Sequence, residues 1–151
     1  MSPVLWKNYS REQIPRLFGL EFNASVWQQG FVRRSDKTFL LVTLDKSKAA
    51  DQHRYEDRFL SPTEFQWQSQ NQTARESTPG RSISDHLALG IEVVLFVRDR
   101  SKTKGGKASP FVYCGPIEFM DWSGDKPITV KWRLRQEVPE RLRDDFRVPR
   151  E

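Results

Sequence analysis

The chain has 151 residues, with 25 Lys and Arg against 20 Asp and Glu. That length is one domain spanning 1–151, long enough for five Trp, ten Phe and three Tyr to build a core despite a mean hydropathy of −0.71. No apolar run is long enough to span a bilayer, the N-terminus lacks the apolar stretch of a signal peptide, and one cysteine, Cys114, admits no internal disulfide; a cytoplasmic protein without membrane attachment is expected.

Residues 1–9 read as a loosely ordered lead in which Trp6 and Tyr9 pack. Ser10-Arg-Glu-Gln13 has the form of a capping box, so a short helix should start at Arg11, with Pro15 near its first turn and Gly19 as its stop. Ile14, Leu17 and Phe18 give that helix one apolar face. Residues 27–34 read as a strand with Gly30 as a bulge, residues 35–37 as a tight turn, and residues 38–45 as a buried strand completing a hairpin. A polar loop at 46–54 follows, and 55–59 leads on as an extended segment.

Residues 59–73 are rich in aromatics and side-chain amides and nearly free of charge. Ser61-Pro-Thr-Glu64 makes a turn, after which Phe65, Trp67 and Ser69 alternate with Gln66, Gln68 and Gln70. One face of this strand is aromatic and the other amide. An amide carries a donor and an acceptor on one plane, which suits a base edge, and a ring offers a stacking platform for an unstacked base. The same pattern also suits a half-buried strand with its rings in the core and its glutamines in water.

Residues 70–80 read as a surface loop, followed by a helix over 81–89 with Ser82 and Asp85 as its cap and Gly90 as its stop. Residues 92–98 form a second buried strand. A Lys/Gly loop at 101–107 separates it from 111–114, which continues beyond Gly115-Pro116 as a strand to 122. After a turn at 123–126 comes a last strand, 128–134, with Ile128, Val130, Trp132 and Leu134 on one face. Residues 139–151 form a terminal segment whose helix, over 139–146, docks Leu142 and Phe146. The fold class is α+β: a curved, mostly antiparallel sheet or partly closed β-barrel with two or three short helices.

Catalytic chemistry is sparse. His53, His86 and one cysteine make no recognisable zinc site, and neither a phosphate-binding glycine loop nor a Gly-x-Ser-x-Gly elbow is present. The acid pairs Glu56/Asp57 and Asp144/Asp145 are adjacent, so on a strand their side chains point to opposite faces. The chain therefore reads as a non-enzyme without cofactor or metal. Binding chemistry is better supplied. The net charge of +5 favours a polyanionic partner. The least balanced cations are those of residues 98–107, including Arg98, Lys102, Lys104 and Lys107, and of the 131–135 strand, including Arg133. With Arg54 and Arg75 these are the candidate DNA-backbone contacts. Tyr55, Asp57 and Phe59 share one face if 55–59 is extended: a carboxylate there can accept from an exocyclic amino group and a tyrosine can stack, or Tyr55 and Phe59 are core and Asp57 pairs locally.

Residues 9–22, 39–46, 55–73 and 95–98, above all the Tyr-x-Asp-x-Phe and Phe-x-Trp-x-Ser-x-Asn patterns beginning at Tyr55 and Phe65, resemble a bacterial domain family long labelled as of unknown function. The resemblance runs from about Tyr9 to Leu134. That family is found at the C-terminus of superfamily-2 helicases, some with a phospholipase-D-type nuclease, that look like type IV restriction enzymes. The resemblance implies recognition of a DNA target through an SRA- or PUA-like fold, in which a modified cytosine such as 5-methylcytosine is flipped into a pocket. Applied to the chemistry of this chain, the pocket would be Tyr55, Asp57, Trp67, Ser69, Gln70 and Asn71. This chain starts at its own Met1 and carries no helicase or nuclease, so the reading is of a stand-alone or excised reader of modified double-stranded DNA whose helicase or nuclease effector is a separate protein. Alternatives are a phosphorothioate or other backbone-modification reader, a protein-interaction domain docking on a helicase or nuclease, and a small nuclease.

Overall fold

The computed structural model describes residues 2–45 and 56–149. The expected loop at 46–54 lies outside the described residues, as do Arg54 and Tyr55 themselves. Among the described residues the chain is α+β, with eight strands in one sheet and four short helices rather than two or three.

The capping-box bonds form, but the first helix starts at Gln13, two residues after the expected Arg11. Ser10 N–H donates to Gln13 Oε1 at 2.8 Å and Gln13 N–H to Ser10 Oγ at 3.2 Å, and α1 (Gln13–Leu17) ends before Gly19, whose φ is +74°. The expected strand at 27–34 is shorter. Asn23 Oδ1 accepts from Ser25 N–H and Val26 N–H, which starts a turn of helix, α2 (Ala24–Trp27), and leaves β2 only Phe31–Arg34. The helix at 81–89 likewise begins earlier. Ser77 Oγ accepts from Gly80 N–H and caps α3 (Thr78–Ser84), while Ser82, expected to cap, is buried and donates to Pro79 O. Gly80 is required there: a Cβ would overlap the carbonyl oxygens of Ala74 and Arg75.

Residues 8–9 form β1 (Asn8–Tyr9), which pairs with β7 (Phe111–Ser123). The remaining strands are β3 (Lys37–Thr43), β4 (Arg58–Ser61), β5 (Glu64–Gln68), β6 (Glu92–Arg98) and β8 (Thr129–Leu134). Their order is β2-β3-β6-β7-β8-β5-β4. Every pairing among the described residues is antiparallel except β3 with β6, which run parallel from Lys37↔Glu92 to Thr43↔Arg98.

The β3–β6 pair is buried on both faces, which is why its strands are almost continuously apolar. Leu40, Val42, Val93, Leu95 and Val97 face one cluster, with Phe65, Trp67, Val130, Trp132, Ile83 and Phe146. Phe39, Leu41, Val94 and Phe96 face the other, roofed by Ile14 of α1 and Trp27 of α2. Each such side chain contributes about 1.5–3 kcal/mol of burial. The long strand β7 bends where Gly115, at φ +86°, sits in a register shift against β6. The sheet is curled but not closed: β2 and β4 are its free edges, yet Phe31 of β2 packs on Trp67 of β5. At the C-terminus, α4 (Glu140–Arg143) leads to Phe146, which stacks on Phe59 at 5.9 Å.

Candidate functional site

The unclosed seam between β2 and β5 is a groove of about 740 Å³. Residues 28–31 approaching β2 line it, with Leu41 and Thr43 of β3, Trp67 and Gln68 of β5, residues 70–72 of the following turn, and Asp57, Arg11 and Arg98. Asp57, Trp67, Gln70 and Asn71 of the six expected pocket residues therefore share one cleft. Gln29, Phe31, Trp67 and Gln70 also line a neighbouring cavity of about 100 Å³, where Ser69, Thr73, Pro79 and Ile83 complete the wall. Ser69 belongs to that smaller space and not to the groove.

The segment from 56 to 70 is held by its own polar side chains. Gln68 N–H donates to Asp57 Oδ1 at 2.8 Å, Glu56 N–H to Gln68 Oε1 at 2.7 Å, and Gln66 Nε2 to Glu56 O at 2.8 Å. Gln68 Nε2 also donates to Thr129 Oγ1 at 3.0 Å. The amides of Gln66 and Gln68 are thus spent on zipping residue 56 and β8 to β5. Gln70, exposed, and Asn71, half-buried, are the expected amides that reach the groove. Ser69 is 1% exposed; its hydroxyl accepts from Ile128 N–H and donates to Gln70 O, so it ties the end of β5 to the start of β8. Trp67 is 5% exposed and stacked on Phe31 at 5.8 Å, so one of its faces is already taken. Phe31, half-buried, is the groove's other ring.

The expected cations are dispersed. Lys102, Lys104 and Lys107 are exposed on the β6–β7 hairpin, which is closed by the Lys102↔Ala108 bridge and by Ser109 N–H donating to Ser101 O. Arg75 bonds Gly124 O through Nε and lies over the Trp122 ring. Arg133 is exposed on β8, in register with Glu64 on one side and Glu118 on the other, whose carboxylates pair with Lys131 and Arg135. Arg98 is different. Its Nε donates to Thr43 Oγ1 at 2.8 Å, its Nη1 reaches the carbonyls of Ser101 and Ser109 at the root of the lysine hairpin, and its guanidinium lies 4.4 Å over the Phe111 ring.

Arg11 lies over the same ring at 5.0 Å and donates to Trp27 O. Burial lowers the Arg11 guanidinium from its ordinary range; burial first, and then the Arg11 cation, bring Arg98 down to about 10. Among the described residues, no ion pair joins either arginine to a carboxylate. Arg11 and Phe31 carry no sequence signal for this role. Arg11 follows the capping box and reads as a helix start, and nothing in spacing places it beside Arg98.

Fold and groove together define an α+β module built on a curled, open sheet with a polar, arginine-bearing cleft along its seam. The chain belongs to the family described as a domain of unknown function, DUF3427, whose model matches residues 4–146. None of the curated proteins matches it. No helix among the described residues is long and apolar enough to cross a membrane.

Proposed function

We propose that this chain is a DNA-binding module that reads a modified base, such as a flipped 5-methylcytosine, in an SRA- or PUA-like manner and serves a separate helicase or nuclease. The observation that carries the reading is the convergence of Asp57, Asn71, Gln70, the Phe31 ring, Arg11 and Arg98 on one seam groove. Its volume, about 740 Å³, falls in the range of small-ligand sites and leaves room for a nucleotide. Asp57 has a carboxylate to accept from an exocyclic amino group, and Gln70 and Asn71 present donor and acceptor together. Stacking falls to Phe31, because Trp67 is already sandwiched into the core. Tyr55 and Arg54 lie outside the described residues and enter the proposal by residue type alone, as pocket ring and backbone contact. The exposed lysine hairpin, rooted on Arg98, supplies phosphate contacts beside the groove.

The test is a binding comparison on one duplex carrying unmodified, 5-methylated, hydroxymethylated, glucosylated or phosphorothioate sites, across a salt series. Preference for one modified base, on top of salt-dependent binding to every duplex, supports the reading. Preference for the phosphorothioate site alone makes the chain a backbone-modification reader. Absence of any salt-dependent DNA binding makes it a protein-docking domain instead.

A further inference from the structure

We propose that Arg11 and Arg98 form a phosphate-binding site inside the seam groove, separate from the lysine hairpin, which takes the phosphate group of a nucleotide lying in that groove. This rests on the DNA-reading proposal for the source of the phosphate, but not for the site itself.

Both guanidinium carbons lie within 5.0 Å of the centroid of one buried ring, Phe111, and both side chains line the groove. The Arg11 cation acts against the charge of Arg98, and partial burial deprives each of solvation. Each is fixed by a neutral partner: Arg11 by the Trp27 carbonyl, Arg98 by Thr43 Oγ1 and by the carbonyls of Ser101 and Ser109. Those bonds hold the guanidiniums in place without neutralising them. Asp57 is the one carboxylate among the described residues of the groove, and it receives the Gln68 N–H. Two positioned guanidiniums with no ion pair among the described residues suit a tetrahedral oxyanion, because each offers paired N–H donors to paired oxygens. The depressed proton affinity of both arginines has the same origin, and a bound dianion or phosphodiester would relieve it.

The site differs in kind from the hairpin. Lys102, Lys104 and Lys107 are exposed, flexible-stemmed charges that meet a polyanion from outside. The arginine pair is placed to hold one phosphate at a fixed point relative to Asp57 and Phe31, which sets how deep a nucleotide enters.

The experiment titrates the full chain with inorganic phosphate, 2′-deoxycytidine 5′-monophosphate, deoxycytidine and a short duplex at constant ionic strength, following the arginine Nε–H resonances by NMR. Phosphate and the nucleotide should shift the Arg11 and Arg98 signals, and deoxycytidine should not. Arg11→Gln should weaken inorganic phosphate at least about tenfold, with an unfolding midpoint in phosphate-free buffer equal to or above that of the wild type. Arg11→Lys, which keeps the charge but not the paired donors, should fall between the two. If Arg11→Gln does not fold, the wild-type resonances and Arg11→Lys still decide. Unmoved arginine signals, or phosphate affinity unchanged in Arg11→Lys and Arg11→Gln, overturn the site. Loss of duplex and phosphate binding together supports DNA as the source. Phosphate and nucleotide binding with no duplex binding keeps the site and removes the DNA reading. Duplex discrimination that survives with silent arginines does the reverse.

Discussion

The rings of Phe31 and Trp67 stack 5.8 Å apart and 25° from parallel, although four strands of the sheet lie between β2 and β5. This contact is where the curled sheet nearly meets itself. It holds the seam at the width of the groove, and no ladder hydrogen bond does that work between these strands. Phe31→Ala should therefore cost about 1–3 kcal/mol, the loss of a half-buried ring and an aromatic pair. Phe31→Leu should cost less. Urea denaturation followed by tryptophan fluorescence measures both. Unchanged stability in Phe31→Ala would mean that the strands alone set the curl.

Asp57→Asn retains an oxygen able to accept from Gln68 N–H but loses the charge. Stability should change little, because the end of β5 stays bonded at Gln68. Discrimination between the preferred modified duplex and its unmodified counterpart should fall by about 1–3 kcal/mol, with nonspecific binding intact. Competition binding on the two duplexes is the measurement. Full discrimination in the variant would place base recognition elsewhere.

The lysine hairpin makes a prediction of a different shape. Lys102, Lys104 and Lys107 are exposed and stand outside the groove that would hold a base edge. Replacing all three by Ala should weaken every duplex alike and flatten the slope of log K against log salt by about 0.9 for each phosphate no longer neutralised. A slope equal to that of the wild type would leave the hairpin as a solvated surface.

Alkaline pH should destabilise the fold through Cys114. The thiol, on β7, is fully buried in the core cluster with Leu95 and Val97, and burial pushes it well above its ordinary value of 9.0. Above pH 9 the unfolded chain loses this proton and the native chain keeps it, so stability falls as pH rises, by at most about 1.4 kcal/mol per unit for this one group. Tyr113, raised to about 12 by burial and by Glu92, adds a fall above its ordinary 10.0. Arg98 acts in the opposite sense, because a base lowered to about 10 gains stability as pH rises past that value. Between pH 9 and 10 the thiol therefore dominates. Urea midpoints over that interval should decline in the wild type and decline less in Cys114→Ala, whatever the offset in absolute stability from the missing sulfur. Parallel declines would assign the effect to other groups.

Local chemistry was enough for the elements whose partners are close in sequence. The Ser10–Gln13 capping box forms its two reciprocal bonds, and the turn at Ser35 and Asp36 closes the β2–β3 hairpin at Arg34↔Lys37. The alternation of Val130, Trp132 and Leu134 against Lys131 and Arg133 puts the first set in the core. The uninterrupted apolar runs of β3 and β6 announced strands covered on both faces. Helices α2 and α3 were missed or shifted because each is too short to be stable alone; their caps, Asn23 and Ser77, matter only once Trp27 and Ile83 have somewhere to pack. The parallel pairing of β3 with β6 was equally hidden, since strands this far apart in the chain are brought together by burial on both faces and not by a turn. The site divides in the same way. Asp57, Gln70 and Asn71 sit in one stretch of sequence and could be singled out by residue type, whereas Phe31 reaches the groove only because the sheet curls, and Arg11 meets Arg98 only because both lie over Phe111. Residue type and spacing carry hydrogen-bonding and stacking capacity, but which capacity is left over for a ligand depends on the bonds the fold has already made, as the spent amides of Gln66 and Gln68 and the buried hydroxyl of Ser69 record.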